Sequence, residues 1–194
     1  MKVCALLLAA GASSRLGRPK QLLEKEGRSL LQLSIETALV AELDPVFVVL
    51  GAREAEIRAQ IRQQPVQLIY NPDWQEGIGS SIREGIKHIM EAGSYSAVVI
   101  MLCDQLLISA AHLQSLVKAY QQQQIPVVAT SYQDQAGVPA LFDQSFFPHL
   151  KQLSGDTGAR KLISQHRDKV QLIQYEAAGV DIDTAEDALR AGLT

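Results

Sequence analysis

The chain has 194 residues, 47% of them hydrophobic and 20% charged, a balance that excludes a disordered chain and allows a sizeable buried core. A formal net charge of −3 excludes a broadly basic surface for nucleic acid, so a small anion must be met by local cations. No apolar run reaches the length of a membrane span, and Val3–Ala9 runs straight into a loop instead of a leader-peptide cleavage pattern.

Val3–Ala9 is continuously apolar and reads as a strand buried on both faces. It gives way at Ala10-Gly11 to small residues, and Arg15, Arg18 and Lys20 follow. Exposed amides ringed by cations suit phosphate groups. A P-loop is excluded because Gly17 is followed by Arg18, and a dinucleotide fingerprint because position 13 is Ser. An ordinary strand-to-helix turn with solvated cations competes with the phosphate reading, and the loop alone does not separate them.

Ser29 is placed to cap a helix carrying Leu31, Ile35, Ala38 and Leu39 on one face, ended by Asp44-Pro45. Val46–Leu50 follows as a second buried strand, Arg53–Arg62 as an outer charged helix and Val66–Tyr70 as a third strand. The turn-rich stretch from Asn71 to Gly77 leads into Gly79-Ser80-Ser81, opening a helix with Ile82, Ile86, Ile89 and Met90 as its core face. Ala97–Leu102, the most hydrophobic strand, terminates in Cys103-Asp104-Gln105. Ligands of open parallel sheets bind beyond the carboxyl ends of the strands, so Asp104 is expected near anything the first loop holds. As a lone residue it reads equally well as the cap of a following turn.

Ser109 begins a helix with Leu113, Leu116, Val117 and Tyr120 inward, fraying into Gln121–Gln124. Val127–Ser131 is the next strand; Gly137 and Pro139 fix a backbone path after it, or mark a plain turn into an edge strand. A helix opens in the run from Leu153 to Leu162, and Val170–Tyr175 is the final strand. Thr184 then precedes Glu186 and Asp187 as at a helix start. Alternation puts Asp181 and Asp183 on one side of an extended segment, so either could face Asp104. Cys4 and Cys103 have no C-x-x-C spacing and read as buried thiols of a reducing compartment; His88, His112, His149 and His166 are scattered and are expected at the surface or on helix edges. The alternation predicts an α/β fold, a three-layer α/β/α sandwich on a mostly parallel sheet, formed by residues 1–194 as one domain without linker or repeat.

The segment from Leu8 to Lys20 resembles Leu-Ala-Ala-Gly-x-Ser-x-Arg-Met-Gly-x-x-Lys, the signature of nucleotidyltransferases of the MobA-like superfamily, with Leu16 in the Met position. Within it the chain looks most like the MocA-type molybdenum cofactor cytidylyltransferases. Four later segments match in the same order: Asn71 to Gly85; Asp104-Gln105, with Leu106 for the family's Pro; Gly137-Val138-Pro139; and Gly155-Asp156-Thr157-Gly158-Ala159-Arg160. The Asp181-Ile182-Asp183-Thr184 run adds a fifth, with Ala185 for Pro.

This resemblance implies the Rossmann-like sheet of nucleotide-diphospho-sugar transferases and transfer of CMP from CTP to molybdopterin or its molybdenum form, with release of pyrophosphate. It implies nucleotide contacts from Leu8, Ala9, Ala10, Gly11, Arg15, Lys20, Ser80 and Ser81, with Arg15, Lys20 and Asp104 in the catalytic roles. Mg²⁺ falls to Asp104 and Asp183, and the acceptor to Gly137, Pro139, Gly155, Asp156, Gly158 and Arg160. A cytoplasmic enzyme with a molybdenum hydroxylase as downstream recipient, and neither nucleic acid nor membrane as partner, completes the expectation. A GTP user, a sugar- or alcohol-phosphate nucleotidyltransferase, and a non-catalytic pterin-cofactor carrier are the alternatives.

Overall fold

A computed structural model describes residues 1–14 and 16–194. Seven strands form one sheet: β1 (Val3–Ala9), β4 (Val46–Leu50), β5 (Val66–Tyr70), β6 (Ala97–Leu102), β7 (Val127–Tyr132), β8 (Gln135–Asp143) and β9 (Val170–Gln174). Their spatial order is β5-β4-β1-β6-β8-β7-β9, and β8 alone runs antiparallel to both its neighbours. A separate hairpin pairs β2 (Glu24–Lys25) with β3 (Arg28–Ser29).

Every residue of β1 is buried, as a strand packed on both faces requires. Its odd-numbered residues join a core with α1 (Leu30–Val40), α2 (Glu54–Ile61) and α4 (Ala110–Gln123). Its even-numbered residues pack with α3 (Ile78–Ala92), α5 (Phe147–Leu150) and α6 (Ala159–Gln165) on the other face. The expected α/β/α sandwich is therefore the observed one. A third cluster joins Leu23 and Leu30 to Ile182, Ala188 and Leu193 beside α7 (Ala185–Arg190).

The pairing Ala9↔Leu50, Leu8↔Leu102 and Leu50↔Tyr70 brings these strand ends to one edge of the sheet. The segments that follow, beginning at Ala10, Gly51, Asn71 and Cys103, therefore gather along that edge. Ser29 caps α1 reciprocally with Gln32, a motif worth about 1 kcal/mol. Among the described residues, no helix is long and apolar enough to cross a membrane.

Four sequence expectations need correction. Met90 is exposed, on the solvent side of α3. The glutamine run does not fray: α4 continues through Gln123, and Gln124 closes it in the left-handed region with its N–H on Tyr120 O. The Gly137–Pro139 element lies inside the sheet rather than at an edge. There β7 slips register, Ala129 pairing with Ala140 and Thr130 with Gly137, so Val138 and Pro139 fall out of the ladder and proline's missing N–H breaks no rung.

His112 is the fourth correction, since it is buried rather than on the surface. The Thr130 hydroxyl donates to Pro139 O at 2.6 Å, so His112 Nε2–H donates to Thr130 Oγ1 at 2.8 Å. The imidazole stacks on Tyr175 at 4.2 Å between ring centroids. Burial pushes its pKa down to about 4, so the ring is neutral.

Candidate active site

Lys20 sits at the end of the loop that leaves β1, in a 3-10 turn from Lys20 to Leu22. Its backbone N–H donates to Ser13 Oγ at 3.0 Å. The next residue, Gln21, is buried and holds the loop from inside, donating Nε2–H to the carbonyls of Ala9 and Gly11, each at 2.9 Å. Sequence reading passed over Gln21; its one signal is a polar side chain followed by two leucines. Arg18 is exposed. Arg15, expected to bind the nucleotide and act in catalysis, lies outside the described residues.

The Lys20 ammonium donates to Asp104 Oδ2 and, at 3.1 Å, to Asp183 Oδ1. Burial alone would lower the lysine pKa, but the charge and hydrogen bond of Asp104, seconded by Asp183, hold it above the ordinary lysine value. The residue is therefore a permanent cation at neutral pH. Asp104 lies two residues past the end of β6, and its carbonyl accepts the backbone N–H of Ile182 at 3.2 Å. That bond seats the 181–183 segment next to the end of β6. Asp181 is raised to about 6, first by partial removal from water, then by the charges of Asp104 and Asp183, against Lys20 and Arg160. The neighbouring Cys103 thiol is pushed up to about 12 by burial and then by Asp104, which keeps it protonated and unreactive.

Among the described residues, Asp104 Oδ1 is buried without a hydrogen-bond partner. An orphaned carboxylate oxygen is costly unless a cation or donor arrives to meet it. Asp104 and Asp183 are hard oxygen donors of the kind a divalent ion of the Mg²⁺ class takes, with phosphates and water filling the rest of its shell. The described residues contain no group of three or more His, Cys, Asp and Glu able to hold a metal unaided. The donor set therefore fits an ion shared with a phosphate ligand.

A cavity of about 310 Å³ opens over this cluster, lined by residues 8–12, by Lys20 and Asp104, and by Trp74, Gly77 and Ser81. Asn71 organises its far wall, donating Nδ2–H to Ser80 Oγ at 2.9 Å and Ser81 Oγ at 3.0 Å. The two serines then differ. Both are buried, but the Ser80 hydroxyl lies against the carbonyls of Asp73 and Gly77, whereas Ser81 lines the cavity.

The expected acceptor residues divide between two places. Gly155 and Asp156 brace the Gly77–Gly79 wall of this cavity: Gly79 N–H donates to Gly155 O at 2.9 Å, and a Cβ on Gly77 would lie 2.5 Å from that carbonyl and 2.6 Å from Asp156 Oδ1. Gly158, one residue before α6, lies against Ile78. Arg160 turns elsewhere, donating to Gln135 Oε1 at 2.9 Å and to the Tyr132 hydroxyl at 3.0 Å. A Cβ on Gly137 would come within 2.5 Å of that same hydroxyl, so glycine there makes room for the Tyr132–Arg160 pair. Val138, next to Pro139, accepts from Gln105 Nε2 at 3.1 Å, and the same amide reaches Ala178 O at 2.8 Å.

Residues 5–170 match the model of the MobA-like NTP transferase domain. The chain is 34% identical to nicotine blue oxidoreductase of Paenarthrobacter nicotinovorans, covering 97% of this chain and 95% of that protein. It is 31% identical to the purine catabolism protein PucB of Bacillus subtilis, covering 94% and 92%. Molybdenum cofactor cytidylyltransferase of Escherichia coli shares 32% identity over 42% of each chain. Among solved structures, Rv0371c of Mycobacterium tuberculosis superposes with a TM-score of 0.85 at 27% identity, covering 98% of this chain and 96% of that one. The same protein complexed with manganese superposes at 0.81, with 25% identity and 98% and 97% covered.

Proposed function

The chain belongs to the MobA-like NTP transferase family, and from that premise we propose that it transfers CMP from CTP to the phosphate of molybdopterin or its molybdenum form, releasing pyrophosphate. The observation that carries the reading is the Lys20 ammonium held between Asp104 and Asp183 under the cavity left by the first loop. Asp104 Oδ1, buried and without a partner among the described residues, adds an anionic oxygen to that end of the cavity. The cytidylyltransferase relative and the Gly155–Arg160 run support the choice of nucleotide and acceptor.

The chemistry asks for alignment and charge neutralisation rather than a placed base. A phosphate monoester has its second pKa near ~6 and is already nucleophilic at neutral pH. Backbone amides of residues 10–12 and the Lys20 ammonium receive the triphosphate, and Lys20 opposes the charge that grows on departing pyrophosphate. Arg15 is proposed for the same task, while the Ser81 hydroxyl meets the nucleoside and Ser80 shapes the wall behind it. Leu8 and Ala9 form the floor of the site. Mg²⁺, held by Asp104 and Asp183, supplies further neutralisation at the phosphate oxygens when bound; the manganese complex of Rv0371c supports a divalent ion here. Gly137, Pro139, Gly155, Asp156, Gly158 and Arg160 are assigned to the acceptor side. A single-domain cytoplasmic enzyme that passes its product to a molybdenum hydroxylase completes the proposal.

The test is incubation with each nucleoside triphosphate, Mg²⁺ and molybdopterin, reading pyrophosphate and product mass. The expected outcome is a cytidylylated pterin from CTP. Product from GTP alone would reassign the nucleotide, and product from a sugar phosphate alone the acceptor. Binding without turnover would make the protein a carrier.

The near full-length match to nicotine blue oxidoreductase favours a second reading, electron transfer to a heteroaromatic compound. A buried cation–carboxylate cluster under the first-loop cavity has no evident use in that chemistry. Bleaching of a heteroaromatic dye by a reduced nicotinamide, without pyrophosphate release, would establish it.

A further inference from the structure

His149 and His166 take no part in the chemistry described above, yet they meet. His149 stands exposed on α5, and His166 closes the C-terminal end of α6. Their ring centroids lie 5.2 Å apart, with the ring planes crossed at 86°. Both rings rest on the buried Phe146, at 5.4 and 5.2 Å between centroids. The pair sits at the end of the sheet remote from Lys20. There β8 runs back to pair Asp143 with Ala97, the first residue of β6, whereas Asp104 lies past the last.

Hydrogen bonding decides which nitrogens are available. A carbonyl only accepts, so the 3.0 Å contact of His166 Nδ1 with Leu162 O puts the proton on Nδ1 and leaves Nε2 with its lone pair. A backbone carbonyl holding the far nitrogen is the usual support of a metal-bound imidazole. Among the described residues, neither ring nitrogen of His149 is hydrogen-bonded, so that ring also keeps a lone pair to give. Two imidazoles bound through nitrogen to one tetrahedral ion, each about 2.0–2.1 Å from it, have centroids about 5.2 Å apart. Edge-to-face packing allows the same distance, and a metal titration separates the two.

Asp143, at the same corner, already accepts from the Ser145 N–H and hydroxyl at 2.9 and 2.5 Å. The charged residues beside the histidines in sequence, Lys151, Arg167, Asp168 and Lys169, are all exposed. Two imidazoles with positive neighbours hold an ion less tightly than a closed four-ligand site does.

We propose that His149 and His166 form a site for a late first-row divalent ion of the Zn²⁺, Ni²⁺ or Cu²⁺ class, with water completing its shell. Imidazole suits these ions, whereas Mg²⁺ takes oxygen, so the site is chemically distinct from Asp104 and Asp183. The ion joins α5 to the end of α6. It thereby ties the ends of the segment whose middle, Gly155 and Asp156, braces the wall of the Lys20 cavity.

Zn²⁺ titrated calorimetrically into the full chain, with excess Mg²⁺ present to fill the carboxylate seat, should bind saturably, one per chain. It should also raise the melting temperature, as any ligand of the folded state does. His149→Gln and His166→Gln should each weaken binding about tenfold or more, a loss no smaller than that of a supporting outer-shell group. His88→Gln and Asp104→Asn should leave it unchanged. With Cu²⁺ as probe, electron paramagnetic resonance should show two imidazole nitrogens in the unaltered chain and one in either variant. Absence of saturable Zn²⁺ binding, losses under twofold in both histidine variants, or a single coordinated nitrogen in the unaltered chain would overturn the site. Variants that melt low without metal and bind Zn²⁺ as before would reduce the two rings to packing.

Discussion

The Lys20 ammonium and the Asp183 carboxylate, separated by 163 positions in the chain, lie 3.1 Å apart, and Asp104 is bonded to the same nitrogen. Two acids from distant segments thus share one cation beneath the cavity that opens after β1. Asp104→Asn keeps the size and much of the hydrogen bonding of that side chain while removing its charge. The variant should fold with a modestly lowered melting temperature, since Lys20 keeps Asp183, and lose nearly all activity at ordinary Mg²⁺, because a hard cation needs anionic oxygen. Asp183→Asn should behave alike and Asp181→Asn more mildly. Mg²⁺-dependent pyrophosphate release on the three variants decides it; wild-type turnover by Asp104→Asn across the titration would leave that acid no metal role.

Lys20→Ala removes a charge-assisted contact to the transition state, which costs ~2–4 kcal/mol, or about two to three powers of ten in rate. It also strands two carboxylates. The Lys20 side chain retains 19% exposure, so the stability loss is discounted from that of a fully buried broken pair to about 1–3 kcal/mol. Added Mg²⁺ or Mn²⁺ should then raise the melting temperature of the variant more than that of the wild type. Equal shifts in a thermal titration would contradict a shared cation seat.

The two adjacent serines should separate cleanly. Ser80→Ala deprives buried groups of their partner and should cost about 1–3 kcal/mol of stability, with nucleotide affinity changed only secondarily. Ser81→Ala should weaken CTP binding with a smaller effect on melting. Calorimetric titration beside denaturant unfolding tests both, and the opposite assignment of effects would exchange their roles.

His112 gives the fold an acid limit. Its pKa is about 4 in the folded chain and near 6.5 when unfolded, so the unfolded state takes up the proton first. Stability is complete above about pH 6.5 and declines as pH falls toward 4, by roughly 3 kcal/mol at most. Asp181 acts in the opposite direction: its raised pKa returns some stability as pH falls from about 6 toward 3.8. His112→Gln should flatten the dependence of the urea midpoint on pH across that window. An unchanged slope would mean that the imidazole titrates normally.

The left half of the sheet was legible because its strands are short apolar runs closed by Gly, Asn or Asp, and their edges in the structure agree with that pattern. Capping at Ser29, Ser109 and Thr184 was local chemistry and equally visible. What stayed hidden depends on contacts between distant segments. His112 looks like any helical histidine until Thr130 and Tyr175 close over it. Pro139 suggests an edge until the register of β7 shows a slip opposite it. Tyr132 carries no motif at all, and matters because a glycine five residues later leaves room for its hydroxyl. Of the site, Lys20, Asp104 and Asp183 could be named from sequence, but their common meeting point could not, since nothing local ties residue 183 to residue 20.

The reversed strand β8 has one more consequence. It divides the sheet into a block of four parallel strands, β5, β4, β1 and β6, and a block formed by β7 and β9, with itself as the seam. The cavity over Lys20 draws its sheet residues from the first block, and a groove beside Arg160 draws its own from the second and from the seam. One continuous stretch between Gln105 and Ile182 carries the second block and the seam, and within it Gly155 and Asp156 reach back to Gly79 and Gly77 at the first cavity. Recombination of that stretch would therefore reshape one wall of the first cavity together with the second block, so the two are inherited as coupled parts.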